Sequence, residues 1–315
     1  MNTQQTVAGS NRAETRTWTQ RLRTGILLDR ATGVDLAGTA ILNTQVWIDQ
    51  APWRLAGLWS VVAGLLATDA LRQLSTLDWK TVALLILLAD PLWGSIWRMT
   101  GGRTALLTLP SPVRERAVWL PYLQAGSPAA RLFGGDHTDV WPFALRVGVP
   151  TVALSLAVAA VLGWVAVGFT VAVVLIATIG WTVRRTFGVG SPLLYSLIAV
   201  GMPWMLSMQL LGRERVDRPW FVPALLIGLW VVHQWGALRA INSVQDWIGL
   251  TLLAVAQIGI CLLLILIQAP LWLALVVVLF LPTWLLVYQR QPLQRLRVVW
   301  LGALLISAVV LGQTS

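Results

Sequence analysis

Residues 247–289 read WIGLTLLAVAQIGICLLLILIQAPLWLALVVVLFLPTWLLVYQ and contain no charged residue. A helix needs about 20 apolar residues to cross the hydrocarbon core of a bilayer, so this stretch predicts two crossings, at 247–267 and 270–289. The whole chain agrees, since 57% of its 315 residues are hydrophobic, 11% are charged and the mean hydropathy is +0.72. Such a chain has too little polar surface for a water-soluble domain. The sequence therefore predicts an all-α, polytopic integral membrane protein.

Further apolar runs of similar length predict the remaining crossings, at 53–71, 79–97, 142–163, 164–183, 189–211, 219–239 and 295–312. Together they indicate about nine transmembrane helices in a bundle at 53–315. Residues 1–52 mix apolar positions with aspartates, a composition that suits a cytoplasmic arm with an interfacial helix. Residues 98–141 form a long loop, which is more than a turn between two helices requires.

The basic residues indicate the orientation of the chain. It carries 23 Lys and Arg against 13 Asp and Glu, and most of the basic residues fall on one side if the N-terminus is cytoplasmic. The positive-inside rule therefore predicts a cytoplasmic N-terminus and a C-terminus on the opposite side. These arginines lie between apolar runs, so we expect membrane lipid as the partner and no nucleic acid.

Tryptophan is unusually frequent, with 19 residues. Many lie near the ends of predicted crossings, where an indole ring anchors a helix at the headgroup boundary. We expect this role for Trp79, Trp97, Trp164, Trp247 and Trp300. Deeper tryptophans either line a cavity or pack in the core; these are Trp93, Trp204, Trp230, Trp235 and Trp284.

Two segments concentrate the polar side chains that the crossings contain. In ADPLWGSIWR (89–98), Asp90, Gly94 and Arg98 are spaced four residues apart and so share one helical face. In LRAINSVQD (238–246), Asn242 and Asp246 are also four apart, and Arg239 precedes them by three. Ionisable groups inside a bilayer are costly and mark functional sites. Both segments end on the cytoplasmic side, so we expect them to converge on one polar pocket beneath the 98–141 loop.

Because of these two segments and the number of predicted helices, the sequence resembles the UbiA superfamily of intramembrane prenyltransferases. That family has a nine-helix fold with aspartate-rich motifs after its second and sixth helices. The resemblance covers about residues 50–312. A third likeness is IGWTVRRTFGVGSPLLYS (179–196), where Trp181 and Arg185 take the places of an aromatic and a basic residue in the family. Membership implies binding of an isoprenoid diphosphate or a prenylated product, and transfer of the prenyl chain to an acceptor if the protein is active.

The resemblance also implies roles for individual residues. Catalytic positions correspond to Asp90, Asn242 and Asp246, and the carboxylates of Asp90 and Asp246 would bind Mg²⁺, which holds and neutralises the diphosphate. The positions implied for substrate binding are arginines that would grip phosphate oxygens and tryptophans that would flank the chain: Arg98, Arg185, Arg239, Trp93, Trp181 and Trp235.

The departures from the family pattern leave two functions open. Gly94 and Arg98 stand where the family has carboxylates, and glycine has no side chain to bind a metal. The chain is therefore either a prenyltransferase with incomplete metal motifs or a non-catalytic, UbiA-like scaffold in a larger membrane complex. Asp246 has a structural alternative of its own, since it immediately precedes the helical run at 247 and is a good N-cap residue.

Overall fold

Helices make up the described part of the chain. The computed structural model describes residues 56–68, 78–102, 148–187, 191–212, 221–242 and 246–313, and every regular element in these ranges is a helix. The predicted arm at 1–52 and most of the predicted loop at 98–141 lie outside the described residues, so both stay predictions.

Nine apolar helices occur within these ranges: α1 Gly57–Ala67, α2 Trp79–Thr100, α3 Val149–Leu162, α4 Trp164–Phe187, α5 Pro192–Leu211, α6 Phe221–Asn242, α7 Trp247–Leu266, α8 Pro270–Tyr288 and α9 Leu293–Gln313. Seven of them are long and apolar enough to cross a membrane, whereas α1 and α3 are shorter. The prediction of an all-helical membrane protein is confirmed for this part of the chain. Crossing by α1 and α3 stays a prediction.

The boundary between α3 and α4 lies at the predicted position. Gly163 separates the two helices with φ of 113°, a backbone conformation that a side chain strongly disfavours. Its N–H still donates to the Ala159 carbonyl, which completes the last turn of α3. Gly163 therefore divides one long apolar run into two helices.

Two hydrophobic clusters share α1 and α5. The larger cluster joins α1 and α5 to α6, α7, α8 and α9, and the smaller one joins them to α2, α3 and α4. Within the larger cluster, α6 and α7 pack almost backbone to backbone, because a Cβ on Gly236 would lie 2.7 Å from the Leu253 nitrogen and 2.8 Å from the Gly249 carbonyl oxygen. Small residues at such crossings allow the close packing on which membrane helices depend.

The tryptophans divide between surface and core. Trp79, Trp164 and Trp247 are the first residues of α2, α4 and α7 and are 58%, 89% and 72% exposed, as the anchor prediction requires. The same prediction is wrong for Trp97 and Trp300, which are buried. Trp97 packs on Tyr195, and the Trp300 indole donates to Thr283 at 2.9 Å. Neighbouring helices cover these two rings. This burial cannot be predicted from a position near a helix end.

Candidate functional site

Three π-helical turns contribute residues to one cavity. They lie at Leu88–Leu92 and Arg98–Gly102 in the α2 segment and at Leu197–Gly201 in α5. A π-turn widens the helix by one residue, and such turns are rare and frequently found at functional sites. The cavity is bounded by these turns and by the start of α1; its lining is Ala56, Gly57, Ala89, Asp90, Gly94, Trp97, Arg98, Tyr195, Ile198 and Ala199.

Prolines account for the irregular hydrogen bonding at this cavity. Pro203 has no N–H, so it leaves the Ala199 carbonyl without its helical donor four residues later. The Ser60 hydroxyl of α1 donates to that carbonyl instead, at 2.9 Å. In α2, Pro91 lies within the first π-turn, and Ser95 donates to its carbonyl at 2.6 Å, a bond within the same helix. The carbonyl that Pro203 frees in α5 is thus the one that a side chain from another helix reaches.

The predicted face of α2 lies along this cavity. Asp90, Gly94 and Arg98 all line it, and Tyr195 lines it from α5. The rings of Trp97 and Tyr195 pack with centroids 5.9 Å apart and planes tilted by 48°. A Cβ on Gly94 would meet nothing within 4 Å, so the glycine leaves space open. A carboxylate, a guanidinium and two aromatic rings thus lie around one small hollow, together with small and apolar residues.

The hollow is small. Its volume is about 30 Å³, compared with roughly 10–15 Å³ for a single buried water. It has room for about two waters. A diphosphate group therefore requires the cavity to widen before it can enter.

Asp246 has a structural role at the start of α7. Its carboxylate accepts hydrogen bonds from the Ile248 and Gly249 amides at 3.1 and 3.2 Å, which is the geometry of an N-cap, and from Arg239 Nε at 2.8 Å. The Arg239 hydrogen bond lowers the pKa of Asp246, and the two amides lower it further. The capping alternative raised by the sequence is confirmed.

The other predicted site residues lie in several places. Trp93 is buried beside α4, where its indole donates to Thr170 at 3.3 Å. Trp181 and Trp235 are half-buried on α4 and α6. Arg185 and Asn242 lie on α4 and α6, and their side chains are outside the described residues. The cavity lining includes neither Arg239 nor Asp246, so one pocket that joins both polar segments stays a prediction.

The two predicted magnesium ligands, Asp90 and Asp246, have different surroundings. Among the described side chains, no group of three or more His, Cys, Asp or Glu residues lies close enough to hold a metal ion. The oxygens of Asp246 already accept hydrogen bonds from Arg239 and from two amides, and Asp90 shares its cavity with the positive charge of Arg98. Magnesium binding stays a prediction.

A second polar cluster, around His233, is packed in the core. Trp284 donates to Gln257 Oε1 at 2.8 Å, so the Gln257 amide nitrogen faces His233 Nε2 at 3.4 Å. An amide NH₂ can only donate, which makes Nε2 the acceptor and places the imidazole proton on Nδ1. Trp230, Phe280 and Trp300 surround the ring. Trp230 therefore packs in the core, whereas Trp284, which is 38% exposed, reaches this cluster only with its indole N–H.

Sequence reasoning missed the contribution of α1 and α5 to the cavity. Gly57 and Ser60 carry no motif, and Tyr195 lies in the 179–196 segment without a predicted role. The importance of all three depends on which helix lies opposite. The one available signal was the pair of mid-helix prolines, Pro91 and Pro203, which predict freed carbonyls and hence side-chain donors nearby.

Comparison of this chain with protein-family models, with curated proteins and with solved structures finds no match.

Proposed function

We propose that this protein is a UbiA-like integral membrane bundle that binds an isoprenoid diphosphate or a prenylated lipid at the cavity between α1, α2 and α5. The observation that carries the proposal is the placement of Asp90, Gly94 and Arg98 along one cavity, faced by Tyr195. A guanidinium matches the oxygens of a phosphate group. Trp97 and Tyr195 offer aromatic surface to the first isoprene unit.

The π-turns support a cavity that changes size. Helix segments with irregular hydrogen bonds shift at lower cost than regular helix, and shifts of 1–2 Å between packed helices are a common switching motion. A modest displacement of α1, which is attached to α5 through Ser60, enlarges the hollow. The small described volume then corresponds to the ligand-free form.

A binding measurement with matched variants tests this proposal. The full chain in lipid nanodiscs is titrated with geranyl, farnesyl and geranylgeranyl diphosphate and with the corresponding alcohols. We expect saturable binding of at least one diphosphate, and weaker binding of its alcohol because the alcohol has no group for Arg98. Gly94→Leu fills the cavity and abolishes binding, whereas Gly228→Leu, at an exposed glycine of α6 that also has open space, leaves binding intact. No saturation with any chain length would remove the proposal.

A specific observation favours a second function, that of a non-catalytic scaffold subunit. Asp246 is engaged in capping α7 and pairing with Arg239, and Gly94 contributes no carboxylate. Release of inorganic diphosphate on incubation with Mg²⁺ and an aromatic acceptor separates the two functions. Binding without release, together with a stoichiometric partner protein in the native mass, identifies the scaffold. Release of diphosphate by an isolated, monodisperse chain contradicts it.

A further inference from the structure

The turns on the two sides of α8 have the same backbone structure. Each is closed by three matching amide-to-carbonyl hydrogen bonds: Ile267 to Leu263, Gln268 to Ile265 and Ala269 to Leu264 before α8, and Gln289 to Leu285, Arg290 to Val287 and Gln291 to Leu286 after it. Gln268 and Arg290 occupy the same left-handed position, with φ of 56° and 54°. Backbone geometry therefore does not explain why one turn has Gln268 where the other has Arg290.

The two turns nevertheless differ in charge. The turn before α8 is neutral. The α8–α9 turn, taken as residues 289–297 so that it includes the first residues of α9, has Arg290 in the matching backbone and Arg295 and Arg297 just after it, with no acidic residue. Leu293 and Leu296 are buried and fix this turn on the bundle, which leaves Arg290 and Arg295 exposed. Within the described part of the chain, none of these three guanidinium groups forms an ion pair or a side-chain hydrogen bond.

An apolar stripe on α8 leads to the same turn. Val278, Leu281, Leu285 and Tyr288 are spaced three or four residues apart and are 59%, 53%, 59% and 89% exposed. Residues at this spacing share one helical face. A long apolar surface that ends at a cluster of arginines matches the chemistry of a phospholipid, with its acyl chains below a negatively charged phosphate.

We propose that the α8–α9 turn binds the headgroups of anionic phospholipids, whose acyl chains lie along the α8 stripe. Charge complementarity carries this assignment, because three cations gather where the apolar stripe ends and no acidic residue in the turn neutralises them. Guanidinium groups bind phosphate oxygens through parallel hydrogen bonds. The neutral turn lies at the other end of α8 and lacks these charges.

Native mass spectrometry of the full chain in detergent tests the proposal. The protein is titrated with phosphatidylglycerol and, separately, with phosphatidylcholine. We expect tighter retention of phosphatidylglycerol, and a loss of about 100-fold in its affinity in the triple variant Arg290→Gln, Arg295→Gln, Arg297→Gln, since each arginine near an anionic surface contributes roughly fivefold. The Arg290→Gln variant should fold normally, because Gln268 adopts the same backbone conformation in the matching turn.

A charge-matched control separates a local site from an effect of net charge. The triple variant Arg12→Gln, Arg16→Gln, Arg21→Gln removes the same charge from the arm, and we expect it to retain wild-type affinity at the α8–α9 turn. An equal loss in both triple variants, or equal retention of the two lipids by the wild type, overturns the proposal. Displacement of phosphatidylglycerol by inorganic phosphate alone also overturns it, because the turn would then be a free-phosphate site.

Discussion

Ser60 supplies the hydrogen-bond donor that Pro203 removes from α5. Its fully buried hydroxyl lies 2.9 Å from the Ala199 carbonyl of α5 and 3.1 Å from the Ala56 carbonyl at the start of its own helix. The Ser207 and Thr170 hydroxyls donate to carbonyls of their own helices. At the residue scale, Ser60 is therefore the side chain that couples α1 to the irregular backbone of the cavity.

We predict that Ser60→Ala destabilises the protein by about 1–2 kcal/mol, because it leaves a buried carbonyl without a donor in an apolar environment. Equilibrium unfolding in a mixed-detergent titration measures the change. Thr178→Ala is the control, since this exposed hydroxyl donates only to the Val174 carbonyl of its own helix, and we expect a change within about 0.5 kcal/mol. Equal effects of the two substitutions would show that the Ser60 contact contributes nothing specific.

Asp246 should make stability depend on pH. Its pKa lies below the ordinary value of 3.8, mainly because of Arg239. The stability that its charge contributes is therefore fully present above pH 3.8 and is lost as the pH falls through the lowered value. Asp246→Asn retains a capping side chain but loses the charge, so its stability deficit relative to the wild type should be constant at higher pH and shrink below 3.8. A deficit that grows in acid would contradict this account.

At the scale of the element, two glycines of the same cavity have opposite roles. A Cβ on Gly57 would collide with the Ala89 carbonyl in the π-turn of α2, whereas a Cβ on Gly94 would meet nothing within 4 Å. Gly57 thus permits the contact between α1 and α2, and Gly94 provides free space.

Alanine substitutions should separate these roles. We predict that Gly57→Ala costs about 1–3 kcal/mol through overpacking, and that Gly94→Ala is neutral or stabilising by about 0.5–1 kcal/mol because alanine restricts the unfolded chain. Unfolding midpoints of the two variants give the comparison. If Gly94→Ala destabilised the protein as much as Gly57→Ala, the open space beside Gly94 would be in doubt.

The helices were predictable from the sequence, but the cavity was only partly so. Apolar runs bounded by polar turns define where a membrane helix begins and ends, and Gly163 marks a break that hydropathy alone misses. The spacing of Asp90, Gly94 and Arg98 also identified the face of α2 that lines the cavity. The π-turns were not predictable, because Pro203 reveals a freed carbonyl but not that Ser60, over a hundred positions earlier, supplies its donor.

At the scale of the whole molecule, the neutral and the arginine-bearing turns that flank α8 predict opposite sides of the membrane. Cys261 is the only cysteine, so a Cys261→Ser background allows single-cysteine labelling. We expect Gln291→Cys to react from the cytoplasmic side and Gln268→Cys from the other side, in agreement with the proposed orientation. Labelling of both positions from one side would exclude a crossing by α8.

Photo-crosslinking with a prenyl diphosphate analogue that carries a photoreactive group on its first isoprene unit tests the central claim most directly. The full chain in nanodiscs is irradiated with the analogue, with and without excess unlabelled diphosphate, and the labelled peptides are sequenced. The account predicts competable adducts on the α2 segment 89–98 and around Tyr195 in α5. Competable adducts confined to the 239–246 segment, or labelling that unlabelled diphosphate does not reduce, would contradict it.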